Sequence, residues 1–155
     1  MSRSPQELLR QAIRLAGNDS SSDLPIAAVI TDRSGAVLSQ SRNLVAESGD
    51  ITAHAEILAI RGLQRSQYRN DGPNLVLAVT LEPCPMCAWA IRSAGIGSVV
   101  FGAYNDHYGA GGSVYDFLRD TRFGRGVKVI GGVLERECSL LLDNAFFEIR
   151  NNRER

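Results

Sequence analysis

The chain has 155 residues, 44% of them hydrophobic and 22% charged, which suits one soluble globular domain built on one core, residues 1–155. Seventeen basic residues balance seventeen acidic ones, so no global field steers the molecule toward nucleic acid. No apolar run approaches the ~20 residues that span a membrane. Arg3, Glu7, Arg10 and Arg14 interrupt the N-terminal residues, unlike a signal peptide, and three cysteines fit a reducing cytoplasm better than a disulfide framework.

Ser4-Pro5-Gln6-Glu7 opens the first predicted helix, with Ser4 as N-cap, Pro5 at the first helical position and Glu7 completing a capping box. Leu8, Leu9, Ala12, Ile13 and Ala16 form its apolar face, and Gly17 ends it. Residues 18–23 read as a polar loop. Pro25 to Thr31 and Ala36 to Ser41 read as strands of a hairpin around Asp32-Arg33-Ser34-Gly35. After a loop over 42–51, a helix is expected from Thr52 to Gln64, with Ile57, Leu58 and Ile60 toward a core. Leu75 to Thr80 is a near-continuous apolar run, as for a central strand covered on both faces. A helix from Cys84 to Ala94 follows, then a strand from Ser98 to Ala103 and a glycine-rich loop over 104–112. Val114 to Arg119 reads as a short helix, Val127 to Leu134 as a last strand, and Glu135 to about Asn151 as a last helix. Strands separated by helices imply parallel pairs, and the hairpin adds an antiparallel one. The expectation is a three-layer α/β/α fold with a mixed five-stranded sheet.

The chemistry lies in two short stretches. His54-Ala55-Glu56 is followed, after a gap of 26 residues, by Pro83-Cys84-Pro85-Met86-Cys87. One imidazole and two thiols make three metal ligands. That count marks a catalytic zinc site, because structural sites are closed by four protein ligands. A closed zinc ribbon would need His107 or Cys138 as the fourth, and neither belongs to a paired ligand motif. Both stretches fall at predicted helix starts. The partial positive charge there favours thiolate, and Cys84 and Cys87, three apart, face the same way. His54 and Glu56 are two apart and converge only near an irregular first turn, with Thr52 as the expected N-cap. Glu56, beside such a metal, can take a proton from water and return it to a substrate. The order His-x-Glu then Pro-Cys-x-x-Cys resembles the signature of zinc-dependent nucleobase deaminases, and that resemblance implies deamination.

Other residues read more plainly. Cys138 is expected as a buried structural thiol, His107 as a surface histidine, Trp89 as core packing, and Asn43 by itself as a turn residue. Sixteen arginines against one lysine, Lys128, fit genomic base composition as well as phosphate contact.

Residues 24–151 resemble bacterial tRNA-specific adenosine deaminases. The resemblance is carried by Pro25-Ile26-Ala27-Ala28-Val29, Arg42-Asn43, Thr52-Ala53-His54-Ala55-Glu56, and Thr80-Leu81-Glu82-Pro83-Cys84-Pro85-Met86-Cys87-Ala88. Val99-Val100-Phe101-Gly102-Ala103, Gly109-Ala110-Gly111-Gly112-Ser113 and Gly132-Val133-Leu134 continue it. The resemblance implies that His54, Cys84 and Cys87 hold one Zn²⁺, that Glu56 is the proton shuttle and that Asn43 touches the flipped-out base. It also implies a homodimer acting on a tRNA anticodon loop at wobble adenosine 34. Arg150, Arg153 and Arg155 are candidates for phosphate contact. The chain departs from the family at Ile51, at Tyr104-Asn105-Asp106-His107-Tyr108 and at Gly124-Arg125-Gly126. Asn105 stands where an acidic residue is usual, which bears on RNA against DNA discrimination. The alternative reading is a free nucleobase or nucleoside deaminase of guanine or cytosine type, since Glu82-Pro83-Cys84-Pro85-Met86-Cys87 is equally at home there.

Overall fold

A computed structural model describes residues 2–17, 22–64, 67 and 70–154. Helix α1 spans Pro5–Gly17 and buries Leu8, Leu9, Ala12 and Ala16. Its start is the expected capping box. The Ser4 N–H donates to Glu7 Oε2 at 2.7 Å, and the Glu7 N–H donates to Ser4 Oγ at 3.2 Å. Strands β1 (Ala27–Thr31) and β2 (Val37–Arg42) form the hairpin. Its turn is organised by Asp32 Oδ1, which accepts from the Ser34 and Ala36 amides at 2.8 and 3.0 Å. Of the predicted polar loop, residues 18–21 lie outside the described residues, as does Arg155.

The expected loop over 42–51 contains one turn of helix, α2 (Val45–Ser48), ended by Gly49 in the left-handed conformation at φ 70°. Helix α3 is shorter than predicted, Ala55–Arg61, and Gly62 closes it. Its fully buried positions are Ala55, Glu56 and Ala59. Ile60 packs against the core, but Ile57 and Leu58 are only half-buried. Small residues let α3 lie close on the sheet, so the large ones fall on its flanks. Strand β3 (Val76–Leu81), helix α4 (Pro85–Ser93), strand β4 (Ser98–Ala103), strand β5 (Lys128–Ile130) and helix α5 (Glu135–Arg153) complete the framework.

The sheet order is β2-β1-β3-β4-β5. β3–β4 and β4–β5 are parallel, as expected. β1 is antiparallel to β2 and also to β3. The α3 connection therefore joins two strands of the same direction, β2 and β3, with β1 between them. Residues alternate across the central strands. Leu77, Val79, Val99 and Phe101 join Ala55, Ala59, Ala88 and Ile91 in the core under α3 and α4. Ala78, Val100 and Ala103 join Leu8, Leu9, Val133 and Cys138 under α1 and α5. The fold is the three-layer α/β/α arrangement expected.

Two predicted elements are corrected. Residues 114–119 are turns with an isolated bridge between Gly111 and Asp116, and a 3₁₀ turn sits later, at Thr121–Phe123. The Val114 and Tyr115 amides donate to the Gly109 carbonyl at 3.0 and 2.9 Å and the Leu118 amide to that of Ala110 at 3.4 Å, so these backbone donors of the segment are spent on the preceding loop and not on helical partners. Strand β5 is three residues long. Gly131 lies flat against the Phe101 ring, and Gly132 turns the chain at φ 75°, so pairing stops there. No helix among the described residues is long and apolar enough to cross a membrane.

Candidate active site

The strand ends place the site. β2 and β3 deliver their C-termini, and β1 its N-terminus, to one edge of the sheet. There a cavity of about 360 Å³ opens, lined by Asp23, Asn43, His54, Glu56, Glu82, Cys84 and Asn105 among others. That volume is at the small end of ligand sites.

His54 is the N-cap of α3, with extended φ −69° and ψ 151°. It takes the place expected for Thr52. Asp50 Oδ1 holds Thr52 in a preceding turn, accepting its amide at 2.8 Å and its hydroxyl at 2.7 Å. The correction sharpens the reason His54 and Glu56 converge. A residue at N-cap and one in the first turn share a side that two mid-helix residues would not. Cys84 is likewise the N-cap of α4, with Pro85 at the first helical position and Cys87 one turn in. The two helix starts bring His54 Nδ1 to 3.7 Å from Cys84 Sγ and 3.4 Å from Cys87 Sγ. All three donor atoms lie within 4.8 Å of one another. Tetrahedral zinc with N at about 2.0 Å and S at about 2.3 Å separates its ligand atoms by roughly 3.6 Å. The donor set fits that ion.

The protons on these groups follow from their surroundings. The hydrogen bond from Cys87 holds the Cys84 thiol down at about 4, with His54 adding to it. The same contact with Cys84, together with burial, drives Cys87 upward. His54 is raised, first by its hydrogen bond to Cys84. Glu56 is 4% exposed, and burial raises its carboxyl from 4.5 to about 7. A carboxyl balanced near neutral pH suits a group that must take and return a proton.

Asn43 is 7% exposed and forms part of the wall, its backbone N–H donating to the Ile26 carbonyl at 2.9 Å. Asp23 also lines the cavity, and its carboxylate accepts from the Ala46 amide at 2.6 Å and the Glu47 amide at 3.0 Å. Sequence reading missed this strut; its partners are 23 and 24 residues away, and no local pattern marks it. Glu82 was missed too, although its position directly before Pro83-Cys84 was a signal. Asn105 lines the cavity while its Oδ1 accepts from the His107 and Tyr108 amides at 3.3 and 3.0 Å.

The remaining candidates lie elsewhere. His107 is exposed. Cys138 is fully buried on the opposite face of the sheet, where burial pushes its thiol up to about 11. A side chain on Gly102 would strike it, so Gly102 lets α5 close on β4. Trp89 is not core: it is 52% exposed and meets Phe123 edge-on at 5.4 Å. Phe123 continues to Phe117, and Phe117 stacks on Tyr115. Arg150 and Arg153 are exposed on α5.

Fold and site together fit the zinc-dependent deaminase class, with three side chains able to hold a metal at two helix starts and a carboxylate beside them. The cytidine and deoxycytidylate deaminase zinc-binding region matches residues 2–103. A tRNA-specific adenosine deaminase of Haemophilus influenzae is 36% identical over 151 residues, 97% of this chain and 87% of that protein. The chain belongs to the tRNA-specific adenosine deaminases of this family. A solved structure from work on A-to-I editing by tRNA:A34 deaminases has a TM-score of 0.74 at 36% identity, covering 88% of this chain and 96% of that one. A second, solved with bound 2,6-diaminopurine, has a TM-score of 0.78 at 25% identity, covering 92% and 81%.

Proposed function

We propose that the protein, a single deaminase domain over residues 1–155, converts the wobble adenosine of a tRNA anticodon loop to inosine by hydrolysis. The observation that carries this reading is the buried Glu56 carboxyl beside an open three-ligand cluster at the base of a small cavity. His54, Cys84 and Cys87 would hold one Zn²⁺. Bound there, zinc would supply acidity to a water, bringing its pKa toward 7 from ~15.7 in bulk. Glu56 takes a proton from the attacking water and delivers it to the ring nitrogen next to the amino-bearing carbon. The water oxygen adds to that carbon. Glu56 then passes the second proton to the amino group, which leaves as ammonia, and the oxygen remains as the carbonyl of inosine. Asn43 orients the base on the cavity wall. The base must leave its stack to enter, which costs less in a loop than in a duplex.

The protein acts in the cytoplasm, where its three free cysteines stay reduced, and as a homodimer. The partly exposed ring cluster of Trp89, Phe123, Phe117 and Tyr115 supports the second copy as its cover, because aromatic patches of this kind mark interfaces. The second reading is deamination of a free purine or pyrimidine base. It is favoured by the likeness to the structure holding 2,6-diaminopurine.

The test is inosine formation in a purified arginine tRNA with an ACG anticodon, beside free adenine, guanine and cytosine. Inosine in the tRNA, falling as salt rises, is the expected result. No inosine with rapid deamination of guanine or cytosine overturns it in favour of the second reading.

A further inference from the structure

Two buried carboxylates face the cavity, and their surroundings give them different work. Glu82 leaves β3 two residues before Cys84 and is 1% exposed. Its Oε1 accepts the Asn105 backbone N–H at 3.2 Å and the Ser113 hydroxyl. Its Oε2 accepts the amides of Gly111 at 3.0 Å and Ser113 at 3.1 Å. A carboxylate has about four lone-pair sites. Four donors from one loop saturate it, so it has no capacity left for a substrate proton. Glu56 keeps that role.

The loop is shaped around Glu82. A side chain on Gly109 would run into its carboxylate, and one on Gly111 would press the Phe101 ring at 3.2 Å and Glu82 Cγ at 3.4 Å. A backbone strut runs alongside, from the Ala110 amide to the Pro83 carbonyl at 2.8 Å. Asn105 braces the start of the loop through its own turn, so residues 105–113 are held as a unit. Their contribution to the cavity wall is Asn105.

We infer that Glu82 is a positioning residue: it clamps the 105–113 loop to the segment carrying Cys84 and so sets the distance between the Asn105 wall and the metal cluster. It governs how firmly the base is held and takes no part in proton transfer. The inference rests on the deaminase reading for its kinetic arm only. Glu82→Gln replaces one acceptor oxygen by an NH₂ that meets N–H donors. In zinc-loaded protein, KM for the substrate should rise roughly tenfold or more, the equivalent of one lost charge-assisted hydrogen bond. Zinc content should stay at the parent level and kcat should fall by less than about threefold, since the proton path is untouched. Hydrogen exchange at Asn105, Gly111 and Ser113 should quicken by about tenfold while β3 and β4 amides keep their protection. Ser113→Ala, which removes one of the four donors, should shift both readouts the same way by less. A merely structural residue would lower stability and the active fraction and leave KM alone. Unchanged KM with unchanged loop exchange overturns the proposal, as does zinc loss with kcat collapse at constant KM. Should Glu82→Gln fail to fold, Ser113→Ala decides by the same two measurements. Inactivity of the parent protein on every base would count against the deaminase reading, and loop exchange would still test the clamp.

Discussion

Replacing Glu56 by glutamine should remove catalysis and stabilise the metal-free protein at neutral pH. Burial raises the Glu56 carboxyl from 4.5 to about 7. At 1.36 kcal/mol per tenfold change, its ionised form is then roughly 3 kcal/mol less favourable in the folded protein than in the unfolded chain. The sign follows from the raised value. Glu56 contributes stability that is fully present below 4.5 and is lost as pH rises through about 7. Cys84, held down at about 4, works in the opposite sense, but it is common to both proteins. Urea unfolding in excess chelator at pH 5, 6, 7 and 8 gives the effect of Glu56, with its coupling to His54 and Cys87, as the difference between parent and variant. The variant should gain on the parent as pH rises, by about 2–3 kcal/mol between pH 5 and 8. It should still bind zinc, since Glu56 is not a ligand, and should deaminate nothing measurable. Parallel pH curves would show that burial does not penalise this carboxyl, and most of the activity surviving would remove it from the proton path.

Metal content should separate the cysteines: Cys84→Ser loses zinc, while Cys138→Ser keeps one per chain because Cys138 lies across the sheet; the reverse pattern would discard the ligand set. Zinc affinity, measured by chelator competition, should rise from pH 6.5 to 8, because Cys87 and His54 are both raised by Cys84 and must release their protons to bind metal. A pH-independent affinity would contradict that. Sedimentation at micromolar concentration should give twice the chain mass of 16.8 kDa, and Trp89→Arg should shift it toward monomer; a parent that is already monomeric refutes the dimer. Truncation after Ile149 removes Arg150, Arg153 and Arg155 and should weaken tRNA binding in a filter assay with zinc unchanged. Equal binding would place the phosphate contacts elsewhere.

Residue patterns were enough for whatever is decided locally. The capping box at Ser4 and Glu7, the apolar run of β3 and the hairpin at Asp32 depend on neighbours within a few residues, and they appear where the pattern puts them. The metal cluster was legible because the spacing of Cys84 and Cys87 and the order of the two motifs carry chemistry that few other arrangements would need. Errors fell where distant contacts override local preference. Residues 114–119 have a helical pattern, but the amides of Val114, Tyr115 and Leu118 bond back to Gly109 and Ala110. Ile57 and Leu58 look like core, but alanines let α3 approach the sheet. Trp89 looks like core and lies half-exposed, in an aromatic cluster whose other members come from the 115–123 segment.

The sequence by itself determined which three side chains could serve as metal ligands, their helix-start setting and the layered α/β/α class, because those follow from residue type and period. Only the tertiary structure decided that β1 pairs with β3, that Asp23 braces the helical turn beside Asn43, and that Glu82 is saturated by four donors from one loop. These depend on groups 20 to 30 residues or more apart meeting in space. A chain pattern carries no distance between such groups. Glu82 is wrapped by loop donors and Glu56 is buried beside the His54, Cys84 and Cys87 cluster, and that difference lies in what surrounds each.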